Sequence, residues 1–338
     1  MAAARVGNPA PFVRYAWGSL AFTVAVVLWG AYVRATGSGA GCGAHWPLCD
    51  GQVVPRAPRA ETVIELTHRL TSGVSLLLVL GLGVWAVRLF PARHRVRRMA
   101  TAAVLFMLSE ALIGAGLVLF GLVADDRSPA RAVVLGVHLT NTFFLLAAMA
   151  LSAWLAGHPV ITPPAWRRSP AAWTAMALLA GVLLTGVSGA MVALGDTLFP
   201  ATSLGHGFAQ DTAPDAHALV RLRVWHPLIA LLVSIALARF ARVQRQRFPW
   251  ALGTLARLLT AGVSLQLLAG AVNVVLLAPV WLQLVHLLLA DLVWVTLVLL
   301  VATLLDAEAL PARETYDVSA APTMAAPIGM RSLPKGPG

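Results

Sequence analysis

The stretch ELTHR, residues 65–69, opens a long apolar run that continues over residues 70–89. Helical spacing places Glu65 and His68, three residues apart, on one face, with Arg69 about 100° around the helix. Ionisable groups at the mouth of a membrane span are costly, so their presence there indicates a functional site. Three more histidines each open another apolar run: His138, His226 and His286. Four predicted spans therefore begin with an imidazole.

The composition is that of a membrane protein. Of the 338 residues, 59% are hydrophobic and only 12% are charged, and the mean hydropathy is +0.78. Such a chain is too apolar for an ordinary water-soluble globule. The net charge of +11 would suggest nucleic acid in a soluble protein, but here the arginines cluster in short loops between apolar runs. Membrane topology explains that pattern better, so we expect a lipid bilayer around the chain and no nucleic-acid partner.

Eight apolar runs are each close to the ~20 residues that a bilayer requires. They cover about 15–34, 66–89, 99–122, 132–156, 171–194, 224–242, 250–277 and 282–305. The first run lacks a small-residue cleavage site, so we expect a retained span and not a signal peptide. Arginines fill the loops after the second, fourth and sixth runs, which makes that side cytoplasmic by the positive-inside rule. We therefore expect a multi-pass protein of the plasma membrane with both termini in the cytoplasm. The four histidines would lie near the outer face.

The second half of the chain echoes the first at an offset of about 150 to 160 residues. LGVHL at 135–139 matches QLVHL at 283–287, and Glu110-x-x-x-Gly114 matches Gln266-x-x-x-Gly270. We expect two tandem four-helix bundles of the same orientation, as in parallel repeats. The predicted division is a cytoplasmic N-terminus (1–14), a first half (15–156), a cytoplasmic linker (157–170), a second half (171–305) and a disordered cytoplasmic tail (306–338).

The only two cysteines, Cys42 and Cys49, share the first outer loop. An oxidising compartment would let them pair, and a disulfide is the preferred interpretation. Two free thiols are the first alternative. A metal site that also uses His45 is the second, although it would lack a fourth protein ligand.

The four span-opening histidines point to haem. The even-numbered spans all run from outside to inside, so the four imidazoles are expected at one depth. Within each half, two facing helices each offer an imidazole, and a four-helix bundle can hold a flat macrocycle between them. Metals other than haem would need additional ligands, and only Glu65 and Glu110 in the first half could supply a nearby carboxylate.

Five arginines at the outer rim are candidates for neutralising haem propionates, with solvated interfacial positions as the alternative. They are Arg34, Arg69, Arg131, Arg221 and Arg223. The other five histidines fall in loops and are expected to be exposed. They are His45, His94, His158, His206 and His217.

The two halves are not equivalent. Where the first half has Glu65 and Arg69, the second has Arg223 and Pro227. A carboxylate at the apolar boundary can take a proton or stabilise a cation. A salt bridge with Arg69 or Arg34 is the alternative role of Glu65. We expect chemistry at the first site and electron relay at the second.

These residues resemble the heme A synthase family of bacterial plasma membranes and mitochondrial inner membranes. The likeness covers nearly all of residues 15–305. It rests on the single histidine that opens each later even-numbered span and on three stretches: GAYVRATGSG at 30–39, CGAHWPLC at 42–49 and ELTHR at 65–69. Membership implies oxidation of the C8 methyl of heme O to a formyl group by successive hydroxylations, which gives heme A for cytochrome oxidase assembly.

The resemblance also implies roles for single residues. His226 and His286 would hold a permanent haem b. His68 and His138 would flank the substrate heme O, and Glu65 would be the acid that turnover requires. Cys42 and Cys49 would match the outer-loop pair of the family. The implied partners are heme O and its synthase, together with a membrane electron acceptor whose identity the sequence leaves open, as it does the oligomeric state.

Two departures from the family pattern stand out. Pro227 follows His226 where an arginine is expected, which suits a helix start but removes a guanidinium from one propionate. The later outer loop also lacks the second cysteine pair of some members.

A bis-histidine di-haem carrier, such as a quinol or ferric reductase, is one rival function, but it leaves Glu65 unexplained. A transporter is another, although transporters place polar groups near the midplane.

Overall fold

The computed structural model describes residues 8–158 and 169–309. This part of the chain folds into α-helices, with a 3-10 turn at Ser38–Ala40 and no strand of a sheet. The helices are α1 (Ala10–Ala35), α2 (Ala60–Leu89), α3 (Arg95–Leu119), α4 (Pro129–Gly157), α5 (Pro170–Leu198), α6 (Leu204–Thr212), α7 (Ala218–Arg247), α8 (Pro249–Val275) and α9 (Val280–Ala309). All of them except α6 are long and apolar enough to cross a membrane. The prediction of an all-α, polytopic membrane protein with eight spans is confirmed.

Most helices are longer than the apolar runs that predicted them. For example, α1 begins at Ala10 where the run begins at 15, and α2 begins at Ala60 where the run begins at 66. Hydropathy marks only the part inside the hydrocarbon, whereas the helix continues with polar residues at the interface. The short helix α6 was not predicted, because it lies within an outer loop that carries no long apolar run.

Local hydrogen bonds explain several helix starts. Serine hydroxyls accept from the backbone N–H groups of the first turns of α4, α5 and α6. His94 and His217 cap α3 and α7 in the same way, each through its Nδ1 at 3.3 Å. Burial, followed by the neighbouring charge of Arg95, lowers the pKa of His94 and so favours the neutral imidazole that can accept a hydrogen bond. The expectation that His94 and His217 are exposed is wrong, since both capping rings are half-buried.

The helices of each predicted half pack against one another. In the first half, α1 packs on α2 and α4, and α3 packs on the same two helices. In the second half, α7 lies between α5 and α8, while α9 contacts α8 and α5. These contacts are compatible with two tandem four-helix bundles, and the boundaries at 15–156 and 171–305 stay a prediction.

The predicted segments outside the bundles are described only in part. Residues 1–7 of the N-terminus, 159–168 of the predicted linker and 310–338 of the predicted tail lie outside the described residues. Helix α9 runs to Ala309, beyond the predicted end at 305. In its last turns Asp306 lies 3.3 Å from Arg95 and Glu308 lies 2.7 Å from Arg247, so ion pairs fix this end.

The interface between the halves is built on α4 and α9. Half of each of these spans is buried within the protein, against 11–33% for the other six. Phe143 of α4 stacks on Trp294 of α9 with ring centroids 5.2 Å apart, and the indole Nε1 donates to the carbonyl oxygen of Phe143 at 2.6 Å. The two central helices are those that carry His138 and His286, so one imidazole of each predicted pair stands on the most deeply embedded part of the fold.

Candidate functional site

The structure brings the predicted histidines together in pairs. His68 of α2 lies within electrostatic range of His138 of α4. His286 of α9 is in the same relation to His226 of α7. All four side chains are half-buried. Each half of the protein therefore holds two imidazoles, from different helices, within electrostatic range of one another.

Three of the four imidazoles rest against a glycine of a neighbouring helix. The pairs are His68 with Gly30, His226 with Gly189 and His286 with Gly270. A Cβ atom at these glycines would lie 2.8, 2.9 and 3.2 Å, respectively, from the Cε1 atom of the ring. Such distances are too short for a methyl group to fit without displacing the ring, so the absence of a side chain at these glycines gives the rings their space.

The ring nitrogens are poorly satisfied by the protein. Nδ1 of His68 and Nδ1 of His286 are buried without a hydrogen-bond partner among the described residues. His226 Nδ1 lies 2.9 Å from the hydroxyl of Ser188, which leaves its Nε2 for another partner. A buried polar atom without a partner is unfavourable, so these imidazoles are suited to ligate something. Within the described ranges no three His, Cys, Asp or Glu side chains cluster as a metal site. Two imidazoles per site fit the axial positions of a haem, whose macrocycle supplies the other four ligands.

Glu65 is a fixed, buried carboxylate, only 3% exposed. Its Oε2 accepts from the backbone N–H of Cys42 at 2.8 Å. Its Oε1 accepts from the guanidinium of Arg69, through Nε at 3.1 Å and also through Nη2. Of the two salt bridges considered for this acid, the structure contains the one with Arg69. The contact holds the carboxylate still and leaves it on the same helix face as His68.

The first outer loop is fastened to the start of α2. Cys42 and Cys49 form a disulfide. Nη1 of Arg69 donates to the carbonyl oxygens of His45, at 2.6 Å, and of Leu48, at 2.7 Å. Thr62 donates through its hydroxyl to the carbonyl oxygen of Gly41 at 2.7 Å. The loop and the acid are therefore parts of one hydrogen-bonded unit.

Arg34 links the two halves of the protein. Its Nη1 donates to the carbonyl oxygen of Ala193 at 2.7 Å and to the hydroxyl of Thr197 at 3.0 Å, both on α5. Its Nη2 donates to Oε1 of Gln283 on α9 at 3.1 Å. Gln283 lies one turn before His286, so this guanidinium reaches the edge of the second site.

The other rim arginines are also bonded to protein groups. Arg131, 3% exposed, donates to the carbonyl oxygens of Ala124 and Asp126. Arg221 donates to the carbonyl oxygen of Pro214 at 2.7 Å. Arg223 holds α6 against the bundle through these groups: Asp196 at 2.7 Å, Gln210 at 3.0 Å, Asp211 at 3.5 Å and the carbonyl oxygen of Phe199 at 2.7 Å. A role for these arginines in binding propionates stays a prediction.

Two acids were not assigned a role from the sequence. Oε1 of Glu110 on α3 lies 3.0 Å from Nδ1 of His138. The sequence signal for this contact was the matched pair Glu110 and Gln266 in the internal repeat. The contact itself could not be predicted, because it depends on the rotation of α3 relative to α4 in the tertiary structure. Asp291 of α9 is 1% exposed, and neither of its carboxylate oxygens has a partner among the described residues. Its signal was an acid in the middle of an otherwise apolar run.

Comparison with known proteins places this chain in a family. Residues 13–298 match COX15-CtaA, described as cytochrome oxidase assembly protein. A protein of Thermus thermophilus named protoheme IX farnesyltransferase is 50% identical over 297 residues, which are 86% of this chain and 48% of that protein. A heme A synthase of Halalkalibacterium halodurans is 41% identical over 145 residues, 42% of this chain and 45% of that protein. The chain thus spans about half the length of the curated relatives it matches. It belongs to the COX15-CtaA family of cytochrome oxidase assembly proteins.

Proposed function

We propose that this chain is a heme A synthase, a membrane oxidoreductase that converts the C8 methyl of heme O into a formyl group. The observation that carries the proposal is the placement of Glu65. This buried, hydrogen-bonded carboxylate shares a helix face with His68, whose imidazole is paired with His138. In the described part of the chain, the other histidine pair, His226 and His286, has no such acid one turn before either ring. Family membership and relatives named heme A synthase support the same conclusion.

The two histidine pairs would divide the work. His68 and His138 would hold heme O, the substrate, from its two faces. His226 and His286 would hold haem b, which supplies one-electron redox chemistry when bound. The free ring nitrogens in both pairs support this assignment. So do the glycine cradles, the positions Gly30, Gly189 and Gly270 against which three of the four rings rest.

The reaction is a stepwise oxidation of a methyl group with water as the source of oxygen. Each hydroxylation adds the oxygen of one water molecule to the carbon and releases two electrons and two protons. The electrons leave to a membrane electron acceptor. Two such steps give a hydrate, which loses one water molecule to become the aldehyde. The carbon passes through an electron-poor state in each step, and water traps it.

Glu65 is the side chain proposed to assist the reaction at this electron-poor carbon. A carboxylate that is already oriented can stabilise developing positive charge without reorganising, or accept the proton that the attacking water releases. Arg69 and the N–H of Cys42 fix its two oxygens, so the acid cannot swing away from the histidine face.

We also infer the orientation of the chain in the membrane. The arginines of the loops that join α2 to α3 and α7 to α8 favour the cytoplasm by the positive-inside rule. The disulfide lies at the opposite end of the spans. Because disulfides persist in oxidising compartments, this end is inferred to face away from the cytoplasm. Both termini would then be cytoplasmic in the plasma membrane, and the haem sites would lie near the outer face.

The same family comparison supports a proposal for the source of the substrate. A relative named protoheme IX farnesyltransferase contains a region 50% identical to this chain within a protein about twice as long as the match. Heme O carries a farnesyl-derived chain, so the synthase that makes heme O would supply the substrate of this one. The two enzymes are proposed to act in sequence in the same membrane.

The test is to analyse the porphyrins of cells that express this chain together with a heme O source. Acid extraction followed by chromatography separates heme A, heme O and haem b. Heme A, absent from cells with the heme O source alone, is the expected product. Haem b bound to the purified chain without any heme A would instead support a di-haem electron carrier. A purified chain without haem would support transport and would overturn the proposal.

A further inference from the structure

Glu110 on α3 contacts three side chains on one face of α4. Its Oε1 lies 3.0 Å from Nδ1 of His138 and also accepts from the hydroxyl of Thr142. Its Oε2 accepts from the side-chain amide of Asn141 at 2.6 Å. The three partners are at positions i, i+3 and i+4 of the helix, so they point the same way. The carboxylate therefore meets a surface that is built to receive it.

The supporting groups are themselves held in place. The amide nitrogen of Asn141 also donates to the carbonyl oxygen of Phe106 at 2.9 Å. The amide oxygen of Asn141 accepts from the hydroxyl of Ser109 at 2.6 Å. A carboxylate within a membrane span is expensive unless its oxygens are paired, and both oxygens of Glu110 are paired here. The network fixes an anion beside one imidazole of the first site.

The second site has a neutral residue in the matching place. Gln266 precedes Gly270 by four residues on α8, as Glu110 precedes Gly114 on α3. Its amide Nε2 lies 3.3 Å from Nε2 of His286, and Nδ1 of His286 has no partner among the described residues. The two sites thus differ in the charge of one side chain and in the ring nitrogen that it faces.

We propose that Glu110 is a positioning residue that acts through His138 and tunes the iron of the haem bound in the first half. Through its 3.0 Å contact with Nδ1, the carboxylate favours the tautomer that carries the proton on that nitrogen and leaves Nε2 to the iron. A carboxylate beside the ring also makes the imidazole a stronger electron donor, which stabilises the oxidised iron. The midpoint potential at the first site is then lower than it would be with a neutral partner. This inference rests on the proposed function, because it takes His138 to be a ligand of heme O.

Such tuning suits the proposed chemistry. Oxidation of the methyl group withdraws electrons from the substrate haem. A ligand that stabilises the oxidised state favours that withdrawal. His286 faces the neutral Gln266 instead. The second site is proposed only to relay electrons, so its imidazole needs no comparable increase in donor strength.

The experiment is a spectroelectrochemical titration of the purified, haem-loaded protein in detergent. Glu110→Gln keeps the shape of the side chain but removes its charge. We expect this variant to raise the midpoint potential of the first-site haem and to leave the second-site haem, which serves as the internal control, unchanged. The low-spin ferric EPR signal of the first-site haem should shift as well, because the g values report the donor strength of the imidazole ligand.

The outcomes separate this inference from the proposed function. A wild-type protein that binds haem, combined with a Glu110→Gln variant whose first-site potential and EPR signal are unchanged, would overturn the role of Glu110 alone. A purely structural role would also show itself in this way, as lower thermal stability with unchanged potentials. A chain that binds no haem at all would overturn the proposed function and this inference together.

Discussion

Nη1 of Arg34 donates to the carbonyl oxygen of Ala193 at 2.7 Å. The internal repeat matches these two positions, since Arg34 follows Gly30 by four residues and Ala193 follows Gly189 by four. Equivalent points of the two halves therefore touch, and the side chain that joins them exists in one half only. The halves contact one another at matched positions of the repeat, and the hydrogen bond between them exists because one of these positions is an arginine and the other an alanine.

Removal of Arg34 should weaken the interface between the halves. Arg34→Ala abolishes three hydrogen bonds from a charged group, and we expect a loss of about 2–3 kcal/mol of stability. Thermal unfolding of the purified protein in detergent measures it as a lower Tm. Arg221→Ala is the matched control, because that exposed arginine makes one bond to a backbone carbonyl. Equal Tm values for the two variants would contradict the linking role of Arg34.

Glu65 should be dispensable for haem binding and required for heme A. Glu65→Ala removes the acid but leaves all four histidines, so the purified variant should keep its haem content. Extracted porphyrins should contain heme O and no heme A. Glu61→Ala is the control, because Glu61 is an exposed acid one turn earlier on the same helix. Heme A at normal yield from the Glu65 variant would refute its role in turnover.

The glycine cradles should be sensitive to a single methyl group. In Gly270→Ala the new Cβ would lie 3.2 Å from Cε1 of His286 and press on the ring. We expect lower haem occupancy or a perturbed absorption spectrum at the second site. Gly114→Ala is the matched control at the corresponding place in the first half, where a Cβ would meet nothing within 4 Å. That variant should be unaffected, or more stable by up to about 1 kcal/mol, because alanine favours a helix. If both variants behave alike, the cradle has no such function.

Asp291 should reduce the stability of the fold. Both carboxylate oxygens are buried and unpartnered among the described residues. Leucine has a similar shape without the polar atoms, so Asp291→Leu should raise stability by about 1–3 kcal/mol. A higher Tm of the purified protein would show this gain. Asp196→Leu provides the contrast, because that acid pairs with Arg223 at 2.7 Å and its loss should lower Tm. A fall in Tm for the Asp291 variant would mean that the carboxyl stabilises the native state.

The sequence was sufficient for the spans and for the grouping of the histidines. Apolar length predicts each crossing, whereas the direction of each span, inferred from the arginine loops, stays a prediction. His68 and His138 could therefore be assigned to one half, and His226 and His286 to the other. Their contacts with glycines could not be predicted, because these depend on how closely neighbouring helices approach.

Other features depend on tertiary geometry that no local pattern carries. Arg34 was predicted to lie at the outer rim, but its partners on α5 and α9 depend on how the halves meet. His94 and His217 look like ordinary loop residues, and their capping role follows from single hydrogen bonds at helix starts. Glu110 was recognised as a carboxylate of the first half and as the counterpart of Gln266. Its contact with His138 required the rotation of α3 relative to α4.

Arg69 binds Glu65 with one edge of its guanidinium and the carbonyl oxygens of His45 and Leu48 with the rest. A change in the exposed segment 45–48 should therefore reach the acid at the start of α2 through Arg69, in addition to the link that the disulfide and Cys42 provide. Inherited or engineered substitutions in that segment should be grouped with lesions of the acid itself, although they touch none of the four paired imidazoles.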